Sequence, residues 1–280
     1  MRCSALFRRV NALNPWTGGR LFTRNLALKC GDLPPDGTYK TSFGFDIELV
    51  MDNYIDISVY FEAYEHLICR LIRNNLSRDG VFIDIGANIG YISMLASRSG
   101  GSVLAFEPHP ILYKRLLRNI DINSLANINA HNFALSDEAG EAELYSPRDG
   151  HHGGTSLQNQ GWEDDADAFT VPTKRLDDVL PESVRSVEFM KIDVEGAELL
   201  AIKGAEKTIA KFRPTILCEY QRSTAARFGY DPIEIPVKIL ALCPDYKINL
   251  IPNNRTVRTV SLEELSDLRV DRADILISCS

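Results

Sequence analysis

The chain has 280 residues, which is enough for one sizeable hydrophobic core with additions. A hydrophobic content of 45% and a charged content of 25% are ordinary for a globular protein and argue against a disordered chain. The net charge of -7 argues against a general nucleic-acid binder, which usually carries a basic face. No apolar run is long enough to span a bilayer, so we expect no transmembrane segment.

The cysteines and the first residues bear on the cellular location. None of the six cysteines forms the C-x-x-C pair of a zinc or redox site, and a reducing, cytoplasmic compartment fits this usage. Residues 1–31 contain five Arg, one Lys and no acid, which is also typical of mitochondrial transit peptides. Pro15 and the scarcity of Ser argue against a transit peptide, so a mitochondrial location is the alternative.

The polarity pattern divides the chain into three predicted regions. They are a basic N-terminal segment that is weakly ordered or helical (1–36), an extension made of a β-hairpin and a helix (37–78) and a main domain (79–280) with a long polar loop insertion (147–167). Alternating polar and apolar residues over 38–60 predict the hairpin, with its turn at Asp52-Asn53. Helical spacing of apolar residues over 61–76 predicts the helix.

From residue 80 onward, strand patterns alternate with helix patterns. The predicted strands are 81–85, 102–106, 128–133, 188–193 and 214–219, and the predicted helices are 89–98, 110–120 and 197–210. This alternation predicts an α/β fold, a mostly parallel sheet with helices on both faces. Segments 141–146 and 168–174 are predicted as extra antiparallel strands, and 246–251 and 273–278 as a hairpin-like edge.

A turn of small residues, Gly86-Ala87-Asn88-Ile89-Gly90, follows the first strand of this domain. The middle glycine of the dinucleotide fingerprint is absent and the spacing differs, so a pyrophosphate would bind poorly. Asp84 lies inside the strand, where a carboxylate is costly to bury unless a cationic or amine-bearing ligand partners it. Glu107 ends the next strand and could accept hydrogen bonds from both hydroxyls of a ribose.

A second motif runs from Met190 to Glu198, where another strand ends and a helix begins. Ligands of open α/β sheets collect at the carboxyl ends of strands, so we expect Asp193 and Glu195 to line the same site as Glu107. Glu198 falls in the first turn of the helix, where the helix dipole alone explains an acid.

Four segments of this chain occur in a characteristic order: Phe82–Tyr91, Phe106–Pro110, Asn132–Ser136 and Lys191–Glu198. Together they resemble the FkbM family of S-adenosylmethionine-dependent methyltransferases, over about residues 60–225. The resemblance implies a class I methyltransferase, Rossmann-like fold with an antiparallel last strand. It also implies S-adenosylmethionine as cofactor and O-methylation of a hydroxyl on a sugar or secondary metabolite.

The resemblance also implies which residues bind the cofactor. They are Asp84, Gly86, Ala87, Asn88, Gly90, Tyr91, Glu107, Pro108, Asn132, Ala134, Ser136 and Asp193. An alcohol is a weak nucleophile, so a general base helps methyl transfer. Asp193 is the first candidate for this base, with Glu195 or Glu219 as neighbours.

The acceptor is expected to be a small molecule or a glycan, and three alternatives stay open. His151, His152 and Trp162 are candidates for substrate binding, although they could instead be a solvated pair and an anchor for the loop. The acids could hold a divalent metal, but the resemblance requires none and we expect none. The other functional interpretations are a nicotinamide-dependent oxidoreductase and a non-catalytic nucleoside-binding relative.

Overall fold

The computed structural model describes residues 3–13, 17–148, 154–159, 161, 165–252, 256–268 and 270–279. The strands are β1 (Gly37–Lys40), β2 (Asp46–Leu49), β3 (Val81–Ile85), β4 (Ser102–Phe106), β5 (Ile128–His131), β6 (Ala134–Leu135), β7 (Gly140–Pro147), β8 (Ala166–Lys174), β9 (Phe189–Ile192), β10 (Thr215–Gln221), β11 (Lys247–Ile251), β12 (Arg258–Val260) and β13 (Arg272–Ser278). The helices are α1 (Cys3–Leu13), α2 (Thr17–Cys30), α3 (Tyr54–Tyr60), α4 (His66–Asn75), α5 (Tyr91–Ser97), α6 (Pro110–Ile122), α7 (Leu176–Val179), α8 (Glu198–Lys203), α9 (Glu206–Phe212), α10 (Arg222–Arg227), α11 (Glu234–Leu242) and α12 (Leu262–Asp267).

The main sheet has the strand order β12-β11-β13-β10-β9-β3-β4-β5. The pairs among β5, β4, β3, β9 and β10 are parallel, and β13 is antiparallel to both β10 and β11. The predicted mostly parallel sheet with an antiparallel last strand is therefore confirmed. Successive strands run outward from β3 to β5, and the chain then returns to place β9 on the other side of β3. The carboxyl ends of β3 and β9 form the switch point at which such sheets bind ligands.

The sheet separates two hydrophobic clusters, one on each face. Phe82 packs into one cluster with residues of α4, α5 and α6, such as Ile72, Met94 and Leu116. Its neighbour Ile83 packs into the other cluster with residues of α8, α9 and α11. Successive side chains of a strand point to opposite faces, so this near-continuous apolar strand is covered by helices on both sides, as predicted.

The extension contains the predicted hairpin, but its strands lie elsewhere. β1 and β2 pair antiparallel from Gly37–Leu49 to Lys40–Asp46, so the turn comprises residues 41–45 and not Asp52-Asn53. The second strand of the predicted hairpin, which would follow Asp52-Asn53, is wrong, because residues 54–60 form α3. Asn53 caps this helix, and its side-chain oxygen accepts the N–H of Asp56 at 2.9 Å. A side-chain cap of this kind stabilises a helix start and outweighs the alternating pattern.

Other boundaries differ by a few residues. The predicted helix at 61–76 begins only at His66, because Glu62 and Glu65 adopt left-handed backbone angles with φ of 55° and 41°. The predicted helix at 197–210 is divided into α8 and α9. The predicted extra strands form an antiparallel β7–β8 pair, and the predicted edge forms the β11–β13 pair. The sequence pattern predicted neither the edge strand β12 nor helices α10 to α12.

The basic N-terminal segment is helical over α1 and α2, and its polar side chains bind the extension. Asn11 donates to the carbonyl of Phe61 at 2.8 Å, and Arg20 donates to the carbonyl of Glu62 at 2.9 Å. Arg24 donates to the hydroxyl of Ser58 at 3.0 Å. The buried arginines therefore join α2 to the region that precedes the main sheet. Among the described helices, none is both long and apolar enough to cross a membrane.

Candidate active site

A cavity of about 360 Å³ opens at the carboxyl edge of the sheet, beside the switch point. The ends of β3, β4 and β9 supply Gly86, Glu107 and Asp193 to its wall. The extension, which precedes β3 in the chain, supplies Tyr64 and Glu65 to the lining of the cavity. The tertiary fold thus brings together the three strand ends that the motifs predicted.

The small-residue turn is fitted to the neighbouring strand end. Gly86 has a φ of 83°, and a Cβ atom built on it would lie 2.0 Å from the carbonyl oxygen of Asp193. Its N–H and that of Ala87 both donate to the carbonyl of Phe106 at 3.0 Å. Only glycine combines this backbone angle with so close an approach, so the turn joins the ends of β3, β4 and β9.

Glu107 is buried, and backbone donors hold its carboxylate in place. One oxygen accepts the N–H of Asn88 at 2.7 Å, and the other accepts the N–H of His109 at 2.9 Å. Burial raises the pKa of Glu107 to about 7, although these two donors act in the opposite direction. A carboxylate oxygen has two lone pairs, so each oxygen of Glu107 can accept one further hydrogen bond.

Lys191 is a buried cation beside two of the predicted acids. Its Nζ donates to Asp193 at 2.9 Å. Burial opposes the charge of both groups, but the acids around Lys191 hold its pKa above the usual value and Lys191 holds the pKa of Asp193 below it. Asp84 accepts from the hydroxyl of Ser93 at 2.6 Å, and its pKa is raised by burial despite the charge of Lys191. Asp193 is therefore ionised at neutral pH, and the chain itself supplies a cation to this pair.

A second acid cluster lies next to Asp193. Carboxylate oxygens of Asp193, Glu195 and Glu219 all lie within 4.8 Å of one another. Burial first and the charge of Asp193 second raise the pKa of Glu195 to about 8. The guanidinium of Arg272 forms an ion pair with Glu219 at 2.8 Å and lines the cavity. Three carboxylates at this spacing could hold a divalent cation, but a guanidinium already contacts the cluster.

Much of the remaining wall is apolar, and part of the long loop contributes to it. Phe106, Phe133 and Leu135 lie on one side of the cavity, and Leu157 comes from the loop. Ser156 fixes this loop, because its hydroxyl donates to the carbonyl of Glu195 at 2.7 Å. The described part of the predicted insertion thus covers the cavity, as expected of a functional loop.

The predicted cofactor residues fall into three groups by position. Those that line the main cavity are Gly86, Asn88, Glu107, Pro108, Ala134 and Asp193. Asp84, Ala87 and Tyr91 line a much smaller adjoining cavity together with Lys191. Gly90, Asn132 and Ser136 are not among the described residues that line either space.

Two of these residues support the site from outside. The side-chain amide of Asn132 donates to the carbonyls of Glu107 and Pro108, both at 2.9 Å. Gly90 begins α5, and a Cβ atom there would lie 2.4 Å from Leu116. Of the predicted base candidates, Glu195 lines the cavity and Glu219 does not. His151, His152 and Trp162 lie outside the described residues.

The sequence did not single out three charged residues of the site: Glu65, Lys191 and Arg272. Lys191 had a usable signal, because a lysine inside an apolar strand needs a buried acidic partner. Glu65 and Arg272 had no such signal in the sequence, because they reach the cavity from the extension and from the last strand. Their placement depends on contacts between distant parts of the chain.

Comparison with known proteins decides the family. The sequence pattern of the family described as "Methyltransferase FkbM domain" matches residues 84–244, which is more than half of the chain. The chain belongs to the FkbM methyltransferase family. This membership favours methyl transfer over the nicotinamide oxidoreductase alternative.

The curated relatives match about half of this chain. Methyltransferase sdnD of Sordaria araneosa is 32% identical, over 48% of this chain and 63% of that protein. Hexuronic acid methyltransferase AglP of Haloferax volcanii is 28% identical, over 50% of this chain and 56% of that protein. The chain thus spans less than two thirds of the length of these relatives. A solved FkbM methyltransferase from Methylobacillus flagellatus is 18% identical with a TM-score of 0.46, covering 81% of this chain and 56% of that one.

Proposed function

We propose that this chain is an S-adenosylmethionine-dependent O-methyltransferase that acts on a hydroxyl of a sugar or another small metabolite. The observation that carries the proposal is the meeting of the Gly86 turn, the carboxylate of Glu107 and the acids Asp193 and Glu195 at one cavity. Relatives named as a hexuronic acid methyltransferase and, at 29% identity, a 2-O-methyltransferase from Sinorhizobium fredii support the acceptor class.

The residues of the cavity fit this cofactor. Glu107 keeps one acceptor site on each oxygen, which suits the two hydroxyls of a ribose. Phe106, Phe133 and Leu135 offer an apolar surface for a purine ring. S-adenosylmethionine carries a sulfonium, and the cavity wall is rich in carboxylates. The bound cofactor would supply an activated methyl group, so the protein mainly has to align the acceptor oxygen.

Glu195 is the best placed general base among the predicted acids. It lines the cavity, and because its pKa is raised to about 8, its ionised carboxylate is a stronger proton acceptor than that of Asp193. Asp193 is a weaker base, because Lys191 lowers its pKa, and we assign it to orienting the acceptor. Glu219 holds Arg272 at the cavity edge and acts as a positioning residue.

Binding and turnover measured on the same variants test the proposal. Calorimetry should show binding of S-adenosylmethionine but not of NAD, and labelled cofactor should transfer its methyl group to a sugar or polyketide hydroxyl. Glu107→Ala should weaken cofactor binding by about tenfold or more, since it loses the buried acceptor. Glu195→Gln should keep the cofactor affinity and slow turnover by about 100-fold or more.

Each outcome separates one alternative from the others. Binding of NAD without S-adenosylmethionine would contradict the proposal. Binding of S-adenosylmethionine with no transfer to any acceptor would favour the non-catalytic relative. A chelator should leave turnover unchanged, because Arg272 already provides positive charge to the acid cluster. A cytoplasmic location remains part of the proposal, and the five cysteines whose side chains the structure describes are free thiols.

A further inference from the structure

Glu65 reaches the cavity from the extension and has an unusual backbone. It precedes α4 with a φ of 41°, in the left-handed region that side chains other than glycine rarely adopt. Its side chain makes no capping hydrogen bond to the helix. Backbone strain that no local contact explains is often found at ligand-binding sites.

The carboxylate of Glu65 has an acceptor without a partner. Its Oε2 atom is buried and, within the described residues, makes no hydrogen bond. Burial raises the pKa of Glu65 to about 8, and the nearby carboxylates of Asp193, Asp274 and Asp84 add to this effect. Lys191 acts in the opposite direction, but its ammonium donates to Asp193. A buried carboxylate is stabilised when a cationic donor enters the site.

Asp84 is less suited to receive a cation from the cavity. Its Oδ1 atom is also buried without a hydrogen bond among the described residues, but its Oδ2 atom accepts from Ser93. Asp84 borders the small adjoining cavity together with Lys191 and does not line the main cavity. Glu65 lines the main cavity, as do Gly86 and Asn88 of the turn. Glu107 is suited to the sugar hydroxyls, and Glu195 and Asp193 are assigned to the acceptor. Glu65 therefore remains as the acid for the other cationic group of the cofactor, its amino group.

We propose that the carboxylate of Glu65 binds the protonated amino group at the amino-acid end of the cofactor, an assignment that rests on the proposed function. An ammonium has three N–H donors and a full charge, so it satisfies the buried Oε2 atom. The extension thus contributes a binding residue that is absent from both strand-end motifs.

Two ligands that differ in the amino-acid end test this assignment. S-adenosylhomocysteine carries the amino group, and 5′-methylthioadenosine has the same nucleoside and sulfur without it. By calorimetry, Glu65→Gln should weaken binding of S-adenosylhomocysteine by about tenfold or more, because it removes the charge of the acceptor. Binding of 5′-methylthioadenosine should change less than about twofold.

Glu62→Gln is the matched control. Glu62 lies three residues earlier and also has a positive φ of 55°, but its carboxylate accepts from the backbone and side chain of Ser42 at 2.8 and 2.7 Å. This variant should leave the ratio of the two affinities unchanged. Ligand-free Glu65→Gln should unfold at or above the wild-type temperature, because a buried, unpaired carboxyl is replaced by a neutral amide.

Three results would overturn the assignment: an unchanged affinity for S-adenosylhomocysteine, an equal loss for both ligands, or a lower unfolding temperature of Glu65→Gln. If the wild-type chain binds S-adenosylhomocysteine while Glu65→Gln gives one of these results, only the assignment fails. If the wild-type chain binds neither ligand, the proposed function fails with it.

Discussion

Gly86 shows how a single residue determines whether the site can form. The distance of 2.0 Å between a Cβ atom at this position and the carbonyl oxygen of Asp193 leaves no room for a side chain. The obstacle is backbone, which cannot rotate away as a flexible side chain could. Asn88 contributes in a different way, since its left-handed backbone directs its N–H to Glu107.

Gly86→Ala should therefore abolish cofactor binding and lower the free energy of unfolding. Gly44→Ala is the matched control, because Gly44 has a similar φ of 88° and nothing within 4 Å of an added Cβ. The left-handed backbone alone should cost about 1–2 kcal/mol in both variants. The clash at Gly86 should add about 2 kcal/mol or more, measured by chemical denaturation. An equal decrease in the free energy of unfolding in the two variants would show that the close approach at Gly86 does not affect stability.

At the scale of elements, the extension completes the wall of the cavity, and the N-terminal helix α2 contacts the extension. α3 and the residues before α4 bring Tyr54, Tyr64 and Glu65 to the cavity. α2 in turn holds this region, because Arg20 is buried and donates to the carbonyl of Glu62. The basic N-terminal segment thus contains a structural arginine, because the guanidinium of Arg20 donates to the backbone carbonyl of Glu62 just after α3.

Arg20→Met should lower the free energy of unfolding by about 2 kcal/mol, because it leaves a buried carbonyl without its donor. Arg9→Met is the control, since Arg9 is exposed on α1, and it should change stability by less than about 0.5 kcal/mol. Thermal and urea unfolding of the two variants measure the difference. If Arg20→Met is as stable as Arg9→Met, α2 is not part of the cooperative fold.

At the scale of the whole molecule, one edge of the sheet concentrates buried acids. Burial raises the pKa of Glu65 and Glu195 to about 8, and that of Glu107 and Asp274 to about 7. Lys191 offsets part of this charge through Asp193. The ligand-free fold therefore carries an electrostatic strain that a cationic ligand would relieve.

The ligand-free protein should lose stability as the pH rises from about 6.5 to about 8.5. In this window the folded state holds more protons on these acids than the unfolded state, in which they are already ionised. Each rise in pH therefore favours the unfolded state. His66, whose pKa burial lowers to about 4, weakens the fold only below about pH 6.5 and does not disturb the comparison. Urea denaturation should show a loss of about 2 kcal/mol or more, and S-adenosylhomocysteine should reduce it. A flat or rising stability would contradict the raised pKa values.

The sequence by itself determined the elements whose signals are local. Near-continuous apolar runs, such as the one at Val81–Ile85, end in turn residues and gave the parallel strands within one or two residues. The chemistry of strand ends then predicted that Glu107, Asp193 and Glu195 would meet, since carboxyl ends of parallel strands share an edge. Local pattern failed where a capping contact competed with it, as at Asn53 and α3.

Only the tertiary structure decided the charge and the surroundings of each acid at the site. Asp84 lies inside a strand, and Asp193 and Glu195 follow one. Their pKa values diverge because burial, the charge of Lys191 and the hydrogen bond from Ser93 act on them differently. Glu65 is more than 100 residues from the Lys191–Glu198 motif, and its role depends on how the extension packs over the sheet. The burial and the charge partners of a carboxylate depend on neighbours from distant segments, so a local stretch of sequence does not determine them.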